Sequence, residues 1–190
     1  MLPGFRRYPP VGTCAGQWRE AAVLILLYED GGTARFPLML RPSGDGVHAG
    51  QVSLPGGSRE ADESLEACAL REAREEMGVV PSTVRVVRAL SPLAVPPSRF
   101  VVHPFVGVAA ERPRFSPAAA EVTALYEPSL DELMDAASRC EDEAEYAGQL
   151  WRVPFYRLAG LRVWGATAMI LSELEAMLEG GGTIQRDGPA

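Results

Sequence analysis

The sequence contains no lysine, so each of its 18 basic residues is an arginine, and 25 acidic residues outnumber them. The formal net charge of −7 at pH 7 argues against a broad nucleic-acid-binding surface. An acidic protein still binds an anionic substrate where metal ions and a few arginines meet the phosphates locally. The charge therefore favours a small-molecule substrate, and we expect no nucleic-acid partner.

Cysteine is scarce too, with three residues in a chain of 190. Cys14, Cys68 and Cys140 are widely spaced and form no Cys-x-x-Cys pair, which argues against both a disulfide framework and a zinc site. We interpret Cys68 as a small packing residue rather than as a nucleophile.

Long apolar runs are also missing. The longest, such as Ala21 to Tyr28, are too short to cross a bilayer, and the N-terminus has no apolar signal segment. We therefore expect a soluble cytoplasmic protein without a membrane partner.

A chain in which 47% of the residues are hydrophobic can bury a full core. One domain is expected over residues 1–190, with irregular or frayed ends at 1–17 and 180–190.

Strand patterns alternate with two long helical patterns along the chain. Strands are expected at Ala21 to Tyr28, Phe36 to Arg41, Thr83 to Leu90, Phe100 to Ala109 and Gln149 to Arg157, and a C-terminal helix from about Gly165 to Glu179. Pro104 lacks a backbone donor and predicts an edge strand or a bulge. Arg139 to Glu145 is interpreted as a solvated charged stretch.

A helix in the middle of the chain organises the rest of the sequence. Ser64 is a good N-cap, and Leu65 to Met77 contains no proline, glycine or β-branched residue. Gly78 stands where a left-handed C-cap would end the helix.

This helix carries three acidic residues close together. At about 100° per residue, Glu72, Glu75 and Glu76 share one arc of the helix. The opposite, packing face is expected to comprise Ala67, Leu70, Ala73 and Met77. Neighbouring carboxylates repel one another, and a divalent cation such as Mg²⁺ removes that cost where phosphate supplies the remaining oxygens. The alternative is a solvated, glutamate-rich face that binds no ligand.

The helix and the loop before it share a wider pattern. Its members stand at the spacing G-x5-E-x7-R-E-x2-E-E-x-G and are Gly57, Glu63, Arg71, Glu72, Glu75, Glu76 and Gly78. This pattern resembles the signature of the Nudix hydrolases, enzymes that cleave a diphosphate joined to a further group. The resemblance implies the α/β fold class, with a Nudix-type α/β/α sandwich around a central mixed sheet.

The resemblance also implies a role for each acidic position. One or more Mg²⁺ or Mn²⁺ ions are expected to be bound by Glu72, Glu75, Glu76 and the backbone carbonyl of Gly56. The ions would neutralise the diphosphate and activate a water, which Glu72 or Glu75 orients or deprotonates. Arg71 and Glu63 are expected to support catalysis by pairing at the junction between loop and helix. Glu121 is either an extra acidic group near the metal or an exposed capping residue.

The loop that precedes the helix narrows the substrate. Its pattern resembles the L-L-T-x-R-S…H-x-G-Q-V-x-F-P-G-G stretch of the coenzyme A pyrophosphatase branch, at Arg41, His48, Gly50, Gln51, Val52, Pro55, Gly56 and Gly57. A Trp-Gly-x-Thr-Ala element that begins at Trp164 is also similar to that branch. Met39, Pro42 and Leu54 depart from the pattern, and these departures favour another substrate.

The implied reaction is the hydrolysis of coenzyme A to 4′-phosphopantetheine and adenosine 3′,5′-bisphosphate. Arg41 is expected to contact phosphate, with Gln51 and Arg99 as further substrate contacts. His48 either contacts the substrate or braces its loop. Two alternatives are open: a Nudix pyrophosphatase for ADP-ribose or dinucleotides, and a non-catalytic nucleotide-sensing module. The oligomeric state is open as well, since the apolar strands and the C-terminal helix serve either a core or a homodimer interface.

Overall fold

The structure, a computed structural model, describes residues 18–44, 49–146 and 149–181. The expectations for the N-terminal arm up to Gln17, for Cys14 and for His48 lie outside these residues, as does the expectation for positions 182–190.

Short strands and a few helices make up the described chain. The strands are β1 (Arg19–Asp30), β2 (Thr33–Arg35), β3 (Leu38–Leu40), β4 (Val52–Ser53), β5 (Gly56–Ser58), β6 (Val84–Ala89), β7 (Leu93–Val95), β8 (Phe100–Ala109), β9 (Ala124–Tyr126), β10 (Arg139–Tyr146), β11 (Gln149–Leu158) and β12 (Leu161–Val163). The helices are α1 (Leu65–Met77), α2 (Leu130–Met134) and α3 (Gly165–Glu179), with short 3-10 turns at Pro81–Thr83 and Ala136–Ser138. Over the described ranges, these helices are too short or too polar to cross a membrane.

The main sheet has six strands and is built around β1, whose central residues are buried or nearly so on both faces. Strand β1 pairs in parallel with β8 and antiparallel with β2 and β5. On its other edge, β8 pairs antiparallel with β6 and β7. The sheet is therefore mixed, as expected, and β8 lies inside it.

Pro104 predicted an edge strand or a bulge. The edge position is wrong, because β8 lies inside the sheet, and the register shift in its pairing with β6 lies between Val86 and Arg88 rather than at Pro104. Pro104 lies opposite Val23 of β1, at the point of β8 where the pairing with β7 has ended and the pairing with β6 has not begun. Its carbonyl accepts a hydrogen bond from the amide of Leu90, which lies between β6 and β7 (2.9 Å). The missing amide donor of the proline therefore faces a gap between two partner strands, where no ladder bond is lost.

The main sheet is covered on both faces, because alternate residues of β1 point in opposite directions. Towards α1, the buried cluster comprises Ala22, Leu24, Leu26, Tyr28, Cys68, Ala69, Ala73 and Met77, among others. On the other face, Ile25 and Leu27 pack with α2, α3 and strands of two smaller sheets. This confirms the α/β/α sandwich expected from the sequence.

The smaller sheets have the strand orders β4-β3-β9 and β10-β11-β12. The strand predicted from Phe36 to Arg41 is shorter than expected, because Pro37 interrupts it and has no amide to donate to a ladder. The chain stops pairing with β1 at Arg35 and begins to pair with β4 and β9 at Leu38.

The charged stretch predicted at Arg139 to Glu145 has exposed acidic side chains, as expected, but the sequence did not indicate that it forms a strand. These residues form most of β10, which pairs with β11 from Arg139 opposite Tyr156 to Tyr146 opposite Gln149. The acidic side chains of β10 are exposed, so the sequence has no apolar alternation to mark the strand. The strand is formed by backbone hydrogen bonds between β10 and β11 rather than by burial of apolar side chains.

Candidate metal and substrate site

Helix α1 is fixed at both ends by the capping residues that the sequence identified. The Ser64 hydroxyl accepts a hydrogen bond from the amide of Ala67 (3.1 Å), and Gly78 has a left-handed φ of 74°. Strand β5 runs beside the helix. A Cβ atom on Gly57 would lie 2.4 Å from Oε1 of Glu72, so the strand can approach this carboxylate only because position 57 has no side chain.

Glu76 is almost completely buried, with 1% of its surface exposed. Its carboxylate accepts hydrogen bonds from the amide of Gly56 (2.7 Å) and from Nη2 of Arg41 (3.1 Å). The faces predicted for α1 are therefore wrong in two places, since Glu76 is buried and Ala67 is exposed. Glu76 is buried because β5 covers that end of the helix. A helical wheel shows only the residues of the helix, so it does not include this contact.

The carboxylates of this region affect one another's ionisation. Burial raises the pKa of Glu76 to about 7; Arg41 and the Gly56 amide oppose the rise, and the charges of Glu72 and Glu121 add to it. Burial likewise raises the pKa of Glu72 despite its hydrogen bond from Arg71. The charges of Glu75 and Glu121 contribute to that rise. Glu121 thus acts electrostatically on the same site, although it lies far from α1 in sequence.

Arg71 connects the loop before α1 to the helix through hydrogen bonds to both. Its Nε and Nη2 atoms donate to the two carboxylate oxygens of Glu63 (3.1 and 2.9 Å), and Nη1 donates to Glu72 and Glu75 (2.9 Å each). The hydrogen bonds from Arg71 lower the pKa of Glu63 to about 2. The pairing of Arg71 with Glu63 is thus present as expected, whereas a catalytic role for either residue stays a prediction.

Cys68 lies under this network and is fully buried. Burial raises the pKa of its thiol to about 11, so the reactive thiolate is not formed at neutral pH. The interpretation of Cys68 as a packing residue is confirmed.

The residues of α1 and β5 fit a divalent metal ion in their chemistry. Within the described ranges, no three His, Cys, Asp or Glu side chains are already gathered as ligands. The carboxylates face arginines instead, as the contacts of Arg41 and Arg71 show. All the expected ligands are hard oxygen donors, which suit Mg²⁺ or Mn²⁺. Burial raises the pKa values of Glu72 and Glu76, and the charges of neighbouring carboxylates add to the rise despite the two guanidinium groups.

A pocket with a cavity volume of about 410 Å³ opens beside β5, a size typical of small-molecule sites. Most of its polar and backbone groups come from the loop before α1, namely those of Arg41, Gln51, Ser53, Gly56, Gly57 and Ser58, and Ser98 and Thr167 add two hydroxyl groups. Its apolar lining includes Val95, Pro97, Phe100, Val102, Trp164 and Ile170. The pocket therefore has polar and apolar walls and borders the carboxylate helix through Gly56 and Gly57.

The structure brings some of the predicted substrate contacts to this pocket. Arg41 and Gln51 line it, whereas Arg99 is exposed and is not among the described lining residues, although its neighbours Ser98 and Phe100 are. Sequence reasoning missed the contribution of the start of α3, where the N-cap residue Trp164 and residues of the first turns line the pocket. The Trp-Gly-x-Thr-Ala element was a sequence signal at this position. The sequence around it did not indicate that it lines a pocket, because the other walls come from strands that are distant in the chain.

Comparison with known proteins agrees with this arrangement. The sequence profile of the NUDIX domain matches residues 18–147. Nudix hydrolase 15, mitochondrial, of Arabidopsis thaliana is 36% identical over 161 residues, which cover 80% of this chain but only 56% of that relative. An uncharacterized Nudix hydrolase, NudL of Pectobacterium atrosepticum, is 38% identical over 169 residues, which cover 87% of this chain and 86% of NudL.

A solved structure shows the same fold. The crystal structure of a Nudix hydrolase from M. smegmatis, RenU, matches with a TM-score of 0.60 at 20% identity and covers 90% of each chain. At this identity the likeness concerns the fold alone. Because the NUDIX profile covers more than half of the chain and NudL is similar over most of both proteins, the chain belongs to the Nudix hydrolases, enzymes that hydrolyse pyrophosphate bonds and generally need divalent metal ions.

Proposed function

We propose that this chain hydrolyses coenzyme A to 4′-phosphopantetheine and adenosine 3′,5′-bisphosphate in a reaction that depends on Mg²⁺ or Mn²⁺. One observation carries the proposal. The loop residues that resemble the coenzyme A branch, including Arg41, Gln51, Gly56 and Gly57, line the pocket that borders the carboxylate helix. The residues that suggest the substrate therefore lie beside those that suggest the chemistry.

In this proposal the metal ligands are Glu72, Glu75, Glu76 and the carbonyl of Gly56. A bound divalent cation supplies charge neutralisation of the diphosphate and acidifies a water molecule. Glu72 or Glu75 orients that water or accepts its proton. Attack of the water on one phosphorus breaks the bond to the bridging oxygen and leaves two phosphate monoesters. Glu121 adds negative charge to the same region.

Arg71 and Glu63 act as positioning residues. Arg71 contacts both carboxylates proposed to serve the water, and Glu63 holds its guanidinium through two hydrogen bonds. A bidentate ion pair of this kind restricts the rotation of the arginine. The pair therefore limits the positions that Glu72 and Glu75 can adopt.

The two kinds of pocket wall suit the two kinds of group in coenzyme A. Arg41 and Gln51 provide polar side chains for phosphate and for the polar part of the substrate. Phe100, Trp164 and Ile170 provide an apolar wall, against which a flexible thiol-bearing arm would lie. Arg99, next in sequence to lining residues, is a further proposed contact.

Product analysis tests the proposal. The full chain is incubated separately with coenzyme A, ADP-ribose and NADH, each with Mg²⁺ or Mn²⁺, and the products are separated by chromatography. Glu76→Gln serves as the control for contaminating hydrolases. Selective formation of adenosine 3′,5′-bisphosphate supports the proposal. Cleavage of ADP-ribose or NADH instead refutes the substrate and keeps the metal chemistry, and binding without cleavage favours a nucleotide-sensing module.

A further inference from the structure

Arg41 makes contacts that go beyond a role in binding phosphate. Its Nη2 atom donates to the carbonyl of Gly56 and to Oε1 of Glu76, both at 3.1 Å. Its Nε atom donates to the hydroxyl of Ser53 (3.2 Å). One guanidinium nitrogen thus bridges two of the oxygen atoms that we propose as metal ligands.

The buried carboxylate of Glu76 needs a positive charge beside it even when no metal is bound. Glu76 is 1% exposed, and the charges of Glu72 and Glu121 act on it. A buried carboxylate among other carboxylates is costly unless a positive charge accompanies it. In the structure Arg41 supplies that charge, and it approaches the same two oxygens that a metal would approach.

The side chain of Arg41 has room to leave while its backbone stays in place. The backbone amide of Arg41 is held by the carbonyl of Gln51 (3.0 Å), directly after β3. The side chain is 27% exposed and also lines the substrate pocket. A rotation of the side chain that breaks its bonds to Ser53, Gly56 and Glu76 would turn the guanidinium towards the pocket without moving the backbone.

We propose that Arg41 competes with the metal ion for Gly56 and Glu76, and that it turns into the substrate pocket when the metal binds. The inference rests on the proposed function, because it takes these two residues as metal ligands. Arg41 then has two successive partners. It compensates Glu76 before the metal arrives, and it meets the phosphates of the substrate afterwards.

The rival explanation is that Arg41 stays on Glu76 and holds the ligands in the correct position. The two explanations predict opposite effects on metal affinity. If Arg41 competes, its removal makes metal binding tighter. If Arg41 positions the ligands, its removal makes metal binding weaker.

The experiment measures the affinity of the full chain for Mn²⁺ in the absence of substrate, by the electron paramagnetic resonance signal of free Mn²⁺. For Arg41→Gln we expect about tenfold tighter binding, which corresponds to the loss of one charge-assisted hydrogen bond from the metal-free state. Arg88→Gln is the matched control, because Arg88 is exposed on β6 and, among the described residues, contacts none of the proposed metal ligands. It removes the same charge and should change the affinity much less.

The outcomes separate this inference from the proposed function. Unchanged or weaker Mn²⁺ binding by Arg41→Gln overturns the competition, and so does an equal gain in Arg88→Gln. If Glu76→Gln binds Mn²⁺ as tightly as the wild type, the proposed metal site fails and this inference fails with it. If Glu76→Gln binds weakly and Arg41→Gln shows no gain, only this inference fails.

A second measurement covers the possibility that Arg41→Gln does not fold. The wild-type chain is labelled with ¹⁵N-arginine and titrated with Mg²⁺, and the Nε–H signal of Arg41 is assigned by its absence in Arg41→Lys. Competition predicts that this signal shifts as Mg²⁺ saturates the site, while the Arg139 signal, from a pair with Glu175 in a different part of the fold, does not. An Arg41 signal that stays unchanged at saturation overturns the proposal.

Discussion

Replacing Gly57 with alanine tests the contact between β5 and the carboxylate helix without removing a carboxylate. The new Cβ atom would lie 2.4 Å from Oε1 and 2.5 Å from Cδ of Glu72. Since an ordinary van der Waals contact begins at 3.4 Å, the carboxylate must move by about 1 Å to relieve the overlap. The atoms involved are the end of a flexible side chain, so the backbone can stay in place.

The expected result is a folded protein with low activity. If Glu72 binds the metal or serves the water, a displacement of this size lowers kcat by about 100-fold. Stability should change little. Replacing a glycine stabilises by about 0.4–1 kcal/mol through the unfolded chain, and this offsets a weakened hydrogen bond to Arg71 of about 1 kcal/mol. The measurements are kcat at saturating Mg²⁺ and the Tm of the same preparation.

Two other glycines complete the design. Gly44→Ala is the matched control, because a Cβ atom there meets none of the described residues within 4 Å and Gly44 has no left-handed φ. It should keep both kcat and Tm. Gly56→Ala would place a Cβ atom 2.3 Å from the backbone oxygen of Ala22, so it should impair folding itself. The reasoning is refuted if Gly57→Ala keeps the kcat and metal dependence of the wild type.

Three further predictions concern the same region. Glu76→Gln should stay folded and lose turnover by orders of magnitude, because the amide oxygen can still accept from Gly56 but carries no charge; near-normal turnover with unchanged Mg²⁺ dependence would contradict the metal site. Chelation of divalent metals should abolish hydrolysis, and added Mg²⁺ or Mn²⁺ should restore it; full activity after thorough chelation would show that no metal is needed. The third concerns Glu63, whose pKa is lowered from 4.5 to about 2 by Arg71. Its contribution to stability is present above pH 4.5 and is lost as the pH falls towards 2. Glu63→Gln should therefore have a lower Tm than the wild type at pH 7, and the difference should narrow as the pH falls to 3; a constant difference would contradict this.

The parts of the fold that local chemistry determines could be predicted from the sequence. The bounds of α1 follow from the Ser64 cap, the helix-forming residues and the left-handed Gly78, and each of these signals lies within the helix or next to it. The same holds for β8, from Phe100 to Ala109, whose run of apolar residues rich in valine is a local signal as well.

The burial of Glu76 could not be predicted, because it depends on contacts between distant parts of the chain. Glu76 is covered by β5, 20 residues away, and is held by Arg41, 35 residues away. A helical projection includes neither partner. The strand from Arg139 to Tyr146 was missed for a related reason, since its side chains carry no apolar alternation and its partner β11 defines it.

The distribution of charge around α1 explains how an acidic chain without lysine can present a site for an anionic substrate. Three arginines contact the carboxylates of α1 and of the loop before it: Arg71 contacts Glu63, Glu72 and Glu75, Arg74 contacts Glu75, and Arg41 contacts Glu76. Arg71 donates to both oxygens of Glu63, whereas Glu72 and Glu76 beside β5 each receive one hydrogen bond from an arginine. The carboxylates with fewer arginine contacts thus lie where the pocket borders the helix. Without a divalent cation these carboxylates, when ionised, would repel a diphosphate, so we expect productive substrate binding to depend on the metal as well as hydrolysis does.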